Sequence, residues 1–292
     1  MANLRDVRKR IKSVVSTQRI TNAMEKVAAA KLRRAQQRIE QARPYAEKMD
    51  HMLSHLAAGS TGEIIHPYFE KREIKKKTLV VIASDRGFCG SFNSNVIRQT
   101  SIWLKNNQDV ETELVLLGKK ANDFFKRRPV SIKKYYGDWG GSLDYGRAKD
   151  IVRLLTDSFV AGETDDISLL YTQFVSAAKH SVTMQEYLPI APPEMNAEGE
   201  DKHEGMLDYI FEPSAESIYA SLMPGYATTK LVTAMADSFA AEHGSRMIAM
   251  NNATKNAGEM IQKLTLDYNK ARQAQITTEL LEVVSGAEAL KG

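Results

Sequence analysis

Leu4-Arg-Asp-Val7-Arg-Lys-Arg-Ile11-Lys-Ser-Val14-Val-Ser-Thr-Gln18-Arg-Ile-Thr21-Asn-Ala-Met-Glu25-Lys-Val-Ala28-Ala-Ala-Lys-Leu32 is the stretch whose reading decides the fold. Apolar side chains recur in it at alternating steps of three and four. Continued to Leu56, that stepping passes through sixteen positions, of which thirteen are apolar. A sustained three–four repeat is the seam of a coiled coil. The exceptions, Gln18, Thr21 and Glu25, are adjacent in the seam. Apolar residues there sit to one side, at Ile20, Met24 and Val27, which predicts a slipped seam and a local change of supercoil or of partner. Residues 2–56 hold one proline, Pro44, and no glycine. Ala, Lys, Arg, Gln and Glu dominate, so helix propensity is high throughout. One unbroken helix of this length would run roughly 80 Å. Most of it is then expected to lie beyond its own chain's core.

Working outward, Thr78-Leu-Val-Val-Ile-Ala83 is an unbroken apolar run rich in β-branched residues. It reads as a strand buried on both faces. Further strands are expected at Glu113–Leu117, Val130–Tyr136, Asp166–Phe174 and Ser181–Leu188, with helices near Asn93–Lys105, Lys119–Arg127 and Leu143–Val160. Strands alternating with helices imply a mostly parallel, Rossmann-like α/β sheet. Ala191–Gly205 is a Pro-, Glu- and Gly-rich loop, and Asp208–Phe211 reads as a short strand. Pro213-Ser214 can open a helix, and Pro224-Gly225 is expected to break it. From Tyr226 a second long helix follows, about 60 residues or about 90 Å. Its seam runs through Met247, Met250, Thr254, Ala257, Ile261, Leu264, Tyr268 and Ala271, then turns polar at Gln275 and Thr278. The chain therefore divides into an N-terminal coiled-coil helix over 1–58, an α/β domain over 75–190, a loop and foot segment over 191–213, and a C-terminal coiled-coil helix over 214–292.

The 292 residues carry a net charge of +4 that is unevenly spread. Residues 1–56 hold thirteen Lys and Arg against five Asp and Glu, a surplus of +8, so the remainder carries −4. Such asymmetry points to a charged partner. Nucleic acid phosphates are one candidate, although residues 2–44 contain no aromatic ring to stack on bases. A solvated helix face and a charged partner protein are the others. The opening ten residues lead into no apolar segment, so no secretory leader is expected. The single cysteine, Cys89, excludes an internal disulfide.

Enzyme chemistry is poorly signalled. The turn Gly87-Phe-Cys-Gly90 after the first strand fits neither a Walker loop nor a dinucleotide fingerprint. A tight structural turn is the better reading there. His51 and His55 stand four apart, but the Glu of a zinc-protease helix is missing between them. Cys89 reads as a structural thiol, and Asp85-Arg86 as a cap or local ion pair. Lys71-Arg72 and Lys75–Lys77 read as a solvated lead-in to the first strand.

Several segments together resemble one family, the gamma subunits of F-type ATP synthases. They are Ile11-Lys-Ser-Val-Val-Ser-Thr-Gln-Arg-Ile-Thr-Asn-Ala-Met-Glu-Lys-Val-Ala-Ala-Ala-Lys31, Ser84-Asp-Arg-Gly-Phe-Cys-Gly-Ser-Phe-Asn93, Ser245-Arg-Met-Ile-Ala-Met-Asn-Asn-Ala-Thr-Lys-Asn-Ala257 and Tyr268-Asn-Lys-Ala-Arg-Gln-Ala-Gln-Ile-Thr-Thr-Glu279. The resemblance spans both ends and the middle of the chain. It implies an antiparallel coiled coil of the terminal helices inside a ring of alpha and beta subunits. The α/β domain would stand below, against the epsilon subunit and the membrane c ring. The role implied is a central rotor shaft of a proton- or sodium-driven ATP synthase, peripheral, as part of the complex, on the cytoplasmic face of the bacterial inner membrane or an equivalent coupling membrane. It implies no catalytic residue, no cofactor, no metal, no nucleic acid and no small-molecule substrate.

By the same resemblance, Met24 and Lys26 face a beta-subunit lever, and Arg246, Arg272, Gln273 and Thr277 touch the ring's catch loops and sleeve. Tyr209 and Glu212 match the foot on the c ring. The redox-regulated chloroplast branch carries a cysteine pair, so a chain with Cys89 alone is expected to lack that control. The runner-up function is a nucleic-acid-binding coiled-coil protein. A Rossmann-type enzyme with helical arms comes third.

Overall fold

The computed structural model describes residues 4–59, 66–190 and 215–289. Two helices bracket the chain, α1 (Leu4–Gly59) and α5 (Ala215–Ala289). Between them lie β1 (Lys76–Ile82), α2 (Phe92–Asn106), β2 (Glu111–Leu117), α3 (Lys119–Phe125), β3 (Ser131–Tyr136), α4 (Tyr145–Val160), β4 (Asp166–Phe174) and β5 (His180–Leu188). The expected strand Asp208–Phe211 lies outside the described residues. The chain forms two compact units. One is α1 through Ala28 with α5 from Arg246 onward; the other is everything between.

In the first unit α1 and α5 run antiparallel. The Thr21 and Thr254 hydroxyls meet at 2.7 Å, and Asn251 Nδ2 donates to Glu25 Oε1 at 2.9 Å. Residue numbers that face each other therefore sum to about 275, rising along one helix as they fall along the other. Thr21, Ala28, Met250 and Ala257 are buried between the helices.

The seam does not slip at Gln18, Thr21 and Glu25. Thr21 is 8% exposed, whereas Ile20 and Val27 are 57% and 59% exposed. The seam continues through polar residues because each has a polar or glycine partner opposite. Thr21 has Thr254, Glu25 has Asn251, and Gln18 lies against Gly258, which has no side chain to displace it. A polar layer of this kind costs packing energy but fixes register.

In the second unit the strand order is β3-β2-β1-β4-β5, parallel except for the antiparallel β4–β5 pair. Alternation along each strand splits the core. Leu79, Val81, Leu114 and Leu116 pack with Val96 and Trp103 of α2 and Ala121 and Phe125 of α3. Val80, Ile82, Val115 and Leu169 face the other way. There they meet Ile151, Leu155 and Phe159 of α4 and Tyr219, Met223, Ala227, Leu231 and Met235 of α5. Chain order explains this division. The sheet grows β1-β2-β3 in one direction and then reverses to β4, so right-handed crossovers place α4 on the opposite face.

Two sequence expectations need correction here. Pro224-Gly225 does not break α5, which is continuous through both residues. Proline removes one ladder hydrogen bond. The loss is offset because the stripe Tyr219, Met223, Ala227 and Leu231 is fully buried on both sides of the proline. At Gly225 a Cβ would make only ordinary contact with Met49 of α1, at 3.5 Å. Secondly, the later part of α1 does contribute to a core of its own chain, through Met49 and Leu53.

A buried charge network ties the start of the sheet. Glu113 of β2 is 4% exposed. Its carboxylate meets Lys76 Nζ at 3.1 Å and Lys133 Nζ at 3.2 Å, and accepts from the Thr78 hydroxyl at 2.9 Å. Lys76 is further paired with Glu111, and Lys133 with Glu163. The hydrogen bond that Lys76 donates to Glu111 raises the Lys76 pKa above its ordinary value, and the hydrogen bond from the Lys133 ammonium lowers that of Glu163. The lead-in cations are therefore partly structural. Arg72 likewise donates to the Phe159 carbonyl at 3.0 Å.

Candidate functional site

In an open α/β sheet the ligand crevice opens where strand order reverses, at the carboxyl ends of the flanking strands. Here that point lies between β1 and β4. Protein side chains occupy it: Cys89, Phe92 and Ala241 form a buried cluster with Phe174 packed against it. Ser238 of α5 is buried beside the strands, accepting from the Thr172 N–H at 3.4 Å.

The turn after β1 is held by local chemistry. The Asn93 amide donates to Cys89 Sγ at 3.1 Å, and its carbonyl oxygen accepts from the Ser84 N–H and hydroxyl. Asp85 accepts backbone N–H groups from Lys119, Asp138, Trp139 and Gly140, at 2.6–3.1 Å. One carboxylate thereby fixes three loops at the top of the sheet. Gly118, at φ +100°, is required for that closure: a Cβ there would lie 2.2 Å from the Ala83 carbonyl oxygen.

The other surface with functional promise is the outer face of the coiled coil. Its cations Arg8, Lys9, Arg10, Lys12, Arg19 and Lys26 are all exposed. Apolar side chains off the seam are exposed beside them: Ile20 and Val27 on α1, Met260 and Leu266 on α5. By the pairing register, Leu4 of α1 faces residue 271 of α5. Beyond that level α5 carries Ile276, Leu280, Leu281, Val283 and Val284, each more than two-fifths exposed. Among the described residues nothing covers them. A helix pair with a sealed seam and this much exposed apolar surface fits a protein that is itself enclosed by partners.

The residues singled out from the sequence fall into two groups on the first unit. Met24 is half-buried and precedes the Glu25–Asn251 pair, and Lys26 is exposed. Arg246 is half-buried five residues before Asn251, near the same level of the pair. Arg272, Gln273 and Thr277 are exposed on the extension of α5, where the Thr277 hydroxyl donates to the Gln273 carbonyl at 2.9 Å. Arg246 and Arg272 are 26 residues apart, about 39 Å along the helix. They therefore belong to separate contact levels. Tyr209 and Glu212 lie outside the described residues, as do the side chains of His51 and His55. The exposed apolar residues of α5 were missed as contact candidates, whereas the sequence already marks Ile20 and Val27 as apolar residues beside the seam; the signal in both cases is apolar character away from the three–four repeat.

Residues 3–290 match the family model described as ATP synthase. The chain is 45% identical to the ATP synthase gamma chains of Pelotomaculum thermopropionicum and Desulforamulus reducens, each over 291 residues with full coverage of both chains. Among solved structures it is similar to a chain of the Tetrahymena thermophila mitochondrial ATP synthase central stalk and c-ring. That match has 26% identity and TM-score 0.59, covering 80% of this chain and 99% of the other. A chain of the Euglena gracilis mitochondrial ATP synthase shares the fold at 18% identity and TM-score 0.68, covering 98% and 94%.

Proposed function

The chain belongs to the family of ATP synthase gamma chains, and from that premise we propose that it is the central rotor shaft of an ion-driven ATP synthase. Its coiled coil turns within the ring of alpha and beta subunits, and its α/β unit stands over the membrane c ring. The observation that carries this reading is the antiparallel pair itself. Its interior is locked by Thr21–Thr254 and Glu25–Asn251, and its exterior offers exposed cations and apolar side chains. A shaft must transmit torque through a rigid seam while making many weak contacts that can slide. Exposed charge contacts are each worth about 0–1 kcal/mol, which suits sliding. A net positive arm also favours encounter with acidic surfaces on the surrounding levers.

In this account Met24, Lys26 and Arg246 meet the levers and catch loops at one level. Arg272, Gln273 and Thr277 meet the sleeve further along, and Tyr209 and Glu212 belong to the foot. The chain itself is non-catalytic. That part of the reading is supported by the closed crevice between β1 and β4, filled by Cys89, Phe92 and Ala241. No described helix is long and apolar enough to cross a membrane, which agrees with peripheral attachment through the complex. Bacterial relatives favour the cytoplasmic face of the inner membrane.

Co-purification tests the proposal. Tagged full-length chain recovered in fixed stoichiometry with two larger nucleotide-binding subunits is the expected result. Recovery as a DNA-bound dimer without those subunits would refute it.

A further inference from the structure

We propose that a basic cavity between α1 and the 140–143 turn binds a small, multiply charged oxyanion of the phosphate type. The cavity has a volume of about 320 Å³. That lies at the lower end of the ~300–1,000 Å³ typical of small-molecule sites. It has room for a phosphate or diphosphate group.

Three cations line one wall. Lys31, Arg34 and Arg38 follow one another on α1 at steps of three and four, so they share a helix face. Ala35, between them, leaves space that a larger side chain would fill. The floor is apolar, formed by Ala236 and Phe239 of α5.

The opposite wall is a turn at positive φ, Gly140 at +60° and Gly141 at +71°. It is held from several directions. Asp85 binds the Gly140 N–H, Lys31 Nζ donates to the Gly140 carbonyl at 2.8 Å, and His243 Nε2 lies 2.8 Å from the Gly141 carbonyl. Glycine is obligatory at 141, since a Cβ would come within 2.6 Å of the His243 ring. The wall is thus pre-formed.

No carboxylate is among the lining residues. Arg34 and Arg38 are exposed and make no ion pair with any described carboxylate. Three like charges converging on one cavity repel one another, and an oxyanion relieves that repulsion. Guanidinium forks match phosphate oxygens in bidentate geometry. Convergence into a closed-floored cavity, in place of a charged stripe along an open face, favours a free small anion over an acidic protein segment.

Isothermal titration of the full-length chain with pyrophosphate at ~0.1 M salt is the test. The expected result is one saturable site per chain, weakened at least tenfold by the Arg34→Gln/Arg38→Gln pair. Arg98→Gln, an exposed arginine on α2, should change affinity less than twofold. Both sites are on exposed helix faces, and circular dichroism would check that helix content is kept. Non-saturable binding, or an equal loss with Arg98→Gln, would overturn the proposal. So would a tetraglutamate peptide that binds more tightly than pyrophosphate, which would assign the cavity to an acidic protein segment.

Discussion

Gly258 is the position at which the register of the shaft can be tested most sharply. It lies in the middle of α5, where glycine costs about 0.8–1 kcal/mol relative to alanine or leucine. A Cβ at 258 would approach Gln18 Nε2 to 3.1 Å. Gly258→Leu alone therefore has two opposed effects. Propensity contributes about 0.8 kcal/mol in favour. Overpacking against Gln18 costs about 1–3 kcal/mol. The net expectation is destabilisation by about 1 kcal/mol. In a Gln18→Ala background the obstructing side chain is gone, and the leucine buries apolar surface in the vacated space. Burial of a leucine is worth about 1.5–3 kcal/mol when complete. The same substitution should then become neutral or stabilising.

The coupling between the two sites is thus about 2 kcal/mol, well above the ~0.3–0.5 kcal/mol within which independent sites add. Native-state hydrogen exchange suits the measurement, because the amides of residues 246–271 report the coiled coil apart from the α/β unit. A coupling of 2 kcal/mol is roughly a thirtyfold change in protection. Identical effects of Gly258→Leu with and without Gln18, to within 0.5 kcal/mol, would refute the facing of these two residues and with it the antiparallel register.

Three further outcomes are expected. Glu113→Ala should destabilise the α/β unit by about 1–3 kcal/mol, because the Thr78 hydroxyl loses its acceptor and Lys76 and Lys133 keep only Glu111 and Glu163; denaturant unfolding followed by the fluorescence of Trp103 and Trp139, both buried in that unit, would show it. Gly118→Ala should cost about 3–5 kcal/mol through the clash with Ala83 and an unfavourable φ, whereas Gly90→Ala, with open space around it, should cost only about 1–2 kcal/mol. His66 accepts the Tyr68 N–H through Nδ1, and burial lowers its pKa below the ordinary 6.5. As pH falls through 6.5 the unfolded chain takes up the proton first, so stability from the neutral ring is full above that value and is lost as pH falls through the lower folded pKa. Exchange protection of the Tyr68 amide should drop between pH 7 and 5, and a flat profile would contradict the capping role.

Much of the architecture was legible in the sequence because its signals are local. The run Thr78–Ala83 and the three–four seam of α1 each carry their own periodicity, and Asp166–Phe174 begins and ends where its composition does. Resemblance supplied the antiparallel pairing, which no local pattern contains. What was misread depends on partners distant in sequence. Gln18, Thr21 and Glu25 look like a fault in the seam until Gly258, Thr254 and Asn251 are opposite them. Pro224 looks like a helix break until the burial of Tyr219 and Leu231 on either side is known. Asp85 read as a cap or a local ion pair, and the four backbone N–H groups that it binds come from 34 to 55 residues away, which no local pattern shows. The exposed apolar residues of α5 were visible as letters, but their exposure depends on α1 pairing only as far as the level of residue 271.

Rotation is the most direct test of the central claim. A probe fixed to Lys105→Cys, an exposed site on the α/β unit, in a Cys89→Ser chain assembled with alpha and beta subunits would be watched during ATP hydrolysis. Unidirectional turning of the probe relative to an immobilised alpha–beta ring is the predicted result. A stationary probe in complexes that hydrolyse ATP at full rate would contradict the account.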